Sequence, residues 1–287
     1  MIEFDRKWIM ENGLPVLDEY ERGTLTLRGL HYQLVALGMT NDLKHYAKVK
    51  SAMIDARWRR VIPFDSFVDH DRETIGTTSG DPTDVDSSLS LAKRQIRIWA
   101  TSYSKNRWEN QPFYPEVFIE KKALQGVFDS PCREWDVALN PCKGYPSITF
   151  LYDAYNRFVA TDKEPVILYF GDYDCSGEDI PRSIGESLYK MGVTVEVRRI
   201  ALMEEQVLEW DLPPAPTKST DSRGRSWDGI GQVELDAVKP NKIRTLLENA
   251  LEDLLDPDLY QDLMDQEDEE QAEFKGALKE DFATLLD

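Results

Sequence analysis

The chain has 287 residues, 41% hydrophobic and 10% aromatic, with 53 Asp+Glu against 34 Lys+Arg and a formal net charge of -19. That length accommodates two domains with separate cores, and the composition is that of an ordinary folded protein. A mean hydropathy of -0.50 without any long apolar run excludes a membrane-spanning helix.

The acidic, interrupted start MIEFDRKWIMENG lacks the pattern of a secretion signal, so a cytoplasmic protein is expected. Cys132, Cys142 and Cys175, with His31, His45 and His70, fall at neither disulfide nor zinc spacing. The negative charge is concentrated: residues 1–110 carry 16 Lys+Arg and 16 Asp+Glu, whereas residues 246–287 carry 2 and 15. A charge-balanced amino-terminal part can present a basic face to phosphate, so net acidity does not exclude a nucleic-acid partner.

From Leu14 to about Asp71 the pattern is helical. Leu27, Leu30, Leu34 and Leu37 recur at spacings of three, four and three, forming one apolar helix face that Gly38 ends. The next segment places Val49, Met53 and Ala56 on a shared face, with Lys44, Lys48, Lys50, Arg57, Arg59 and Arg60 around the rest. Two short helices, the second basic, followed by strand-like VIPFDSFVD, have the pattern of a winged helix whose second helix reads a DNA groove. The expected boundaries are 1–75 for this DNA-binding domain and 76–110 for a linker, GTTSGDPTDVDSS, with the connecting helix SLAKRQIRIWATSYSKNRW.

From Glu116 strands and helices alternate. The strands are VFIE, VALNPC, PVILYFGD and TVEVRRIAL; the helices between them are KKALQGVFDSPCREW, SITFLYDAYNRFVA and IPRSIGESLYKMG. This alternation predicts a Rossmann-like parallel sheet flanked by helices over 111–256, so the fold class expected is α/β joined to an α-rich winged-helix domain. The Pro-, Gly- and Ser-rich stretch from Trp210 to Pro240 predicts a functional loop. NKIRTLLENALEDLL closes the domain, and 257–287 is expected to be a solvated, partly helical acidic segment.

Carboxylate placement is the strongest chemical signal. Strand VFIE ends in Glu120, and PVILYFGDYDCSGEDI ends a second strand in Asp172 and Asp174. Acids at the carboxyl ends of neighbouring parallel strands converge on one crevice suited to a hard cation, Mg²⁺ or Mn²⁺, whose open positions take phosphate oxygens. Gly171 is expected to permit close backbone approach near that ion. Each acid alone is equally well explained as complementing the dipole of the following helix.

VFIEKKAL, GDYDCSGEDI and the preceding winged-helix pattern together resemble the A subunit of topoisomerase VI and the related meiotic double-strand-break protein. The likeness is closest to the short stand-alone proteins called Topo mini-A and covers about residues 20 to 255. It implies a winged helix plus a Toprim domain, with Glu120, Asp172 and Asp174 as metal ligands. It also implies a nucleophilic tyrosine in an Arg-acid-apolar-aromatic-Tyr motif, which reads here as Arg28, Gly29, Leu30, His31 and Tyr32. Gly29 and His31 depart from that motif; Arg28 and Tyr32 keep it. Arg28, four residues earlier on the same helical face, would position phosphate or stabilise the phenolate. Lys218, Asp221 and Glu234 fall where the family places residues around the Toprim site, and a turn and a helix cap explain them equally well.

The resemblance therefore implies Mg²⁺-dependent cleavage of double-stranded DNA by a homodimer, with Tyr32 left in a phosphotyrosyl link and tyrosine and metal drawn from opposite protomers. Strand passage would need a separate ATPase subunit, because no G-x-x-x-x-G-K-[ST] loop is present. Two alternatives stay open: a defence-type Toprim nuclease that uses water, and a non-catalytic DNA-binding partner subunit whose acidic tail competes with DNA for the basic helix.

Overall fold

The computed structural model describes residues 3–20, 22–69, 84–214 and 231–285, so Lys218 and Asp221 lie outside the described residues. The chain divides into two compact units, one of Met1–Arg72 with Phe113–Leu254, the other of Glu73–Pro112 with Leu255–Asp287.

The first unit opens with α1 (Arg6–Asp18), α2 (Leu27–Ala36) and α3 (Leu43–Trp58). Each begins where a side-chain oxygen accepts a first-turn backbone N–H: Asp5 from Trp8 at 2.8 Å, Thr26 from Gly29 at 3.0 Å and Asp42 from His45 at 2.7 Å. Such a cap stabilises by about 1 kcal/mol. α2 stops because Gly38, at φ +102°, lets its own N–H and that of Met39 turn back to Val35 and Leu34 carbonyls. Ile9, Leu30, Leu34, Val49 and Met53 fill the space between the helices, while Leu37, past the end of α2, is exposed.

The strand expected after α3 is replaced by a 3-10 turn, Phe64–Ser66. Pro63 immediately before it has no N–H to give to a ladder, and the segment is tied instead by Val68 N–H to Leu25 O at 3.0 Å. The chain then enters the second unit, where α4 (Val85–Trp99) starts inside the expected linker because Asp84 caps it, accepting from Ser87 N–H at 2.8 Å.

Back in the first unit, β1 (Phe113–Ile119), α5 (Gln125–Glu134), β2 (Ala138–Pro141), α6 (Ile148–Val159), β3 (Glu164–Phe170), α7 (Cys175–Met191) and β4 (Glu196–Ala201) alternate as expected. α8 (Glu204–Glu209) and α9 (Pro240–Glu252) follow. The sheet is parallel with strand order β2-β1-β3-β4 and is flanked by helices. The central strands β1 and β3 read as near-continuous apolar runs because helices cover both faces. Phe118, Leu151, Phe158, Tyr169, Ile180 and Leu188 make the core under α6 and α7, each burial stabilising by about 1.5–3 kcal/mol.

Two boundaries differ from expectation. β1 begins at Phe113 and runs through Pro115, and α7 begins five residues early at Cys175 because Asp174 caps it, accepting from Gly177 N–H at 2.7 Å. A fully buried acid, Glu116, sits inside β1, bonded by Arg157 Nε at 2.6 Å and Nη2 at 2.8 Å and by Asn140 Nδ2 at 2.9 Å.

The second unit closes with α10 (Pro257–Leu285), a continuous helix where a partly helical tail was expected. Residues 103–111 run beside it. Lys105 N–H donates to Glu267 at 2.6 Å, its ammonium lies 3.2 Å from Glu270, and Asn110 Nδ2 donates to Leu259 O at 2.7 Å. Among the described residues no helix is long and apolar enough to cross a membrane.

Candidate active site

β1 and β3 end side by side, with Glu120 N–H donating to Phe170 O at 2.8 Å, so Glu120 and Asp172 leave the sheet at one crevice. Glu120 Oε2 accepts from Asp172 N–H at 2.9 Å and from the Tyr169 hydroxyl at 3.3 Å. Burial, reinforced by the charge of Asp174, raises the Glu120 pKa above the ordinary carboxylate value. The Asp174 capping carboxylate and Glu120 meet at Gly177. A Cβ there would lie 2.1 Å from Asp172 O and 3.2 Å from Glu120 Oε2, so only glycine fits. Gly171 is constrained too, but by Tyr169, whose hydroxyl would stand 2.4 Å from a Cβ.

Asp172 faces Lys121 and the segment that begins at Leu235. Its Oδ1 accepts from Leu235 N–H at 2.8 Å, and its Oδ2 lies 3.0 Å from Lys121 Nζ. The same ammonium reaches Glu234 Oε2 at 2.5 Å and Asp236 Oδ2 at 2.9 Å. Burial, with Glu120 and Asp236, pushes Asp172 up to about 8 against the pull of Lys121. Burial also opposes the charge on Lys121, but the three carboxylates more than reverse it and hold its pKa well above the ordinary ammonium value. Among the described residues no group of three or more His, Cys, Asp and Glu side chains is arranged to hold a metal ion. Three of the acids converge on Lys121 instead.

Glu234 and Asp236 arrive from far along the chain. Tyr173 and Val233 form an antiparallel bridge, with N–H···O distances of 2.8 and 2.9 Å, and the chain then turns through the 3-10 segment Leu235–Ala237. Gln33 of α2, itself buried, donates from Nε2 to Asp236 O at 2.8 Å and Val238 O at 3.3 Å. That clamp brings the neighbouring Tyr32 against the acids.

The Tyr32 hydroxyl accepts from Arg28 Nε at 3.1 Å and Nη2 at 2.8 Å, and the Glu234 carboxylate is its own hydrogen-bond acceptor. Lys121 Nζ lies 5.4 Å from the centre of its ring. Burial and the nearby Glu234 charge raise the phenol pKa, with Lys121 and Arg28 opposing. Burial raises Glu234 as well, yet Lys121, Tyr32 and Arg28 together hold it below the ordinary carboxylate value. His31 is buried with its ring 5.6 Å from that of Tyr46, and the N–H of Gly29 is the one that the Thr26 hydroxyl accepts in capping α2.

A cavity of about 660 Å³ opens here, its lining including Arg28, Lys50, Glu120, Lys121, Asp172 and Glu234, with Lys122 and Lys143 also part of it. Of the basic residues expected to read DNA, Lys50 lines this cavity and Lys44 is exposed. The other four are engaged locally. Lys48 Nζ donates to Phe4 O at 3.1 Å, Arg57 packs over Phe67 at 5.3 Å, Arg59 pairs with Asp55 at 2.7 Å and Arg60 covers Phe64 at 4.8 Å. Lys121 and Asp236 were not singled out from sequence, although one follows Glu120 directly and the other lies two residues beyond Glu234.

Compared with protein-family models, with characterised proteins and with solved structures, the chain has no match.

Proposed function

We propose that this protein cleaves double-stranded DNA by transesterification through Tyr32, in the manner of a topoisomerase VI A-subunit-like protein. The observation that carries the proposal is the placement of the buried Tyr32 hydroxyl between a guanidinium donor and the Glu234 carboxylate, two groups that themselves line the cavity with Glu120 and Asp172.

A phenol is a weak nucleophile below its normal pKa of about 10, and this one is raised further, so attack needs a base. Glu234, kept ionised by Lys121 and Arg28, takes the phenolic proton as the oxygen bonds to phosphorus. The P–O bond to the departing deoxyribose oxygen breaks, and that oxygen takes a proton from solvent. Arg28 offers donors to the phosphate and to negative charge on the phenol oxygen. Lys50, Lys122 and Lys143 supply positive charge along the cavity for the flanking backbone.

With Asp172 taken up by Lys121, Glu120 and Asp174 are the strand-end acids left that would hold a hard divalent cation, and Mg²⁺ commonly uses one or two carboxylates plus water and substrate phosphate. When bound, Mg²⁺ or Mn²⁺ would supply charge stabilisation at the phosphoryl oxygens. In this proposal the three amino-terminal helices act as a winged helix without a wing strand, the sheet acts as a Toprim domain, and a homodimer supplies one tyrosine for each strand of the duplex. Strand passage would still require a separate ATPase subunit.

The test is a labelled duplex incubated with Mn²⁺, trapped with denaturant and digested with trypsin. The peptide carrying nucleotide should contain Tyr32; an adduct mapped to any other residue contradicts the proposal.

A further inference from the structure

We infer that Lys121 is the resident cation of the Asp172–Glu234–Asp236 cluster, standing where a divalent ion would stand, and that a short neutral residue at 121 turns those carboxylates into a divalent-cation site.

The stoichiometry of donors supports this directly. An ammonium has three N–H donors and no acceptor. Lys121 Nζ has three carboxylate oxygens within 3.0 Å, from Asp172, Glu234 and Asp236. Asp172 follows β3, Lys121 follows β1, and Glu234 and Asp236 flank Leu235, whose N–H is bonded to Asp172. The Leu235 N–H bond to Asp172 thus holds the segment that carries Glu234 and Asp236 against the end of β3, so the three acids stay close to one another when the lysine is removed.

A second observation points the same way. Asp236 is 4% exposed, and its Oδ1 is buried without a hydrogen-bond partner. Three N–H donors cannot serve six carboxylate oxygens. A cation with six to eight oxygen positions can use the atom an ammonium leaves over. Arg28 adds positive charge toward Glu234 and Asp236, with its Nε and Nη2 bonded to Tyr32. Without Lys121 the cluster carries uncompensated negative charge in a desolvated place.

The consequence reaches Tyr32, because Lys121 also packs against its ring and pairs with the carboxylate that faces its hydroxyl. Lys121 is thus a positioning residue: it fixes the Glu234 carboxylate beside the phenol. The inference concerns the charge balance of the cluster and stands independently of DNA cleavage.

The experiment counts Mn²⁺ bound per chain by electron paramagnetic resonance and measures thermal midpoints in Mn²⁺ and in EDTA, for wild type, Lys121→Ala and Lys121→Arg. Lys121→Ala should be destabilised in EDTA, should bind one Mn²⁺ more than wild type, and should gain more stability from Mn²⁺ than wild type does. Adding Glu234→Gln should abolish the extra ion, and Lys121→Arg should not acquire it. The wild-type count separately reports on the Glu120 and Asp174 pair, so failure there is distinguishable from failure here. If Lys121→Ala does not fold in EDTA, Lys121→Ala with Asp236→Asn should regain folding by lowering the cluster's charge. A folded Lys121→Ala with the wild-type Mn²⁺ count, or a double variant no more stable than the single one, overturns the inference.

Discussion

Arg28 donates to the hydroxyl of Tyr32 from both Nε and Nη2, at 3.1 and 2.8 Å, across one turn of α2. A planar fork of this kind cannot be reproduced by lysine. Arg28→Lys should keep the fold while slowing formation of the protein–DNA adduct by about a hundredfold, the usual cost of one charge-stabilising donor. Single-turnover adduct formation measures this. An unchanged rate would assign Arg28 to packing.

Glu234→Gln removes the proton acceptor of Tyr32 but keeps a side chain able to bond Lys121 poorly and Tyr32 well. Adduct formation should fall by about 10² to 10⁴, the range for loss of a general base. Because the folded-state pKa of Glu234 is depressed, its ion-pair stabilisation is present above the unfolded value of about 4.3 and is lost as pH falls through the lower folded value. Acid unfolding of Glu234→Gln should accordingly be less pH-dependent below that point than that of wild type.

Asp172 behaves in the opposite sense. Its folded-state pKa is raised to about 8, so the native state binds more protons than the unfolded chain above about 3.9. Its contribution to stability therefore declines as pH rises through that window and is gone above about 8. Urea denaturation from pH 5 to pH 9 should show a downward slope in wild type that Asp172→Asn flattens. An identical slope in the two proteins would place the proton elsewhere in the cluster.

Arg157→Ala leaves Glu116 buried inside β1 without its cationic partner, with Asn140 still bonded to it. Removing one partner of a buried pair costs about 3–5 kcal/mol. The urea midpoint should drop without a change in slope, and the double variant Glu116→Leu with Arg157→Leu should recover much of the loss. Additive losses would show that the two side chains do not act as a pair.

The sheet was legible because a parallel strand covered on both faces must be apolar along its length, as VFI and VILYF are. The start of α7 was not, because Asp174 was read as a ligand, whereas the spacing to Gly177 is also that of a capping aspartate. The strand after α3 failed on Pro63, which the apolar texture of VIPFDSFVD concealed. Lys121 was invisible for a different reason. Its partners Glu234 and Asp236 are brought back by the Tyr173–Val233 bridge, and no local pattern encodes a contact across that separation. The continuity of α10 is not encoded locally, because its acids Glu267 and Glu270 are met by Lys105 from a segment remote in sequence.

Cleavage of supercoiled plasmid in Mg²⁺ or Mn²⁺, stopped with denaturant and run with and without protease, tests the central claim most directly when wild type, Tyr32→Phe and Glu120→Gln are compared. The account predicts breaks that enter the gel only after protease treatment and that are absent from Tyr32→Phe. Breaks with free ends that persist in Tyr32→Phe but vanish in Glu120→Gln would contradict it, and would mark a hydrolytic nuclease that uses water.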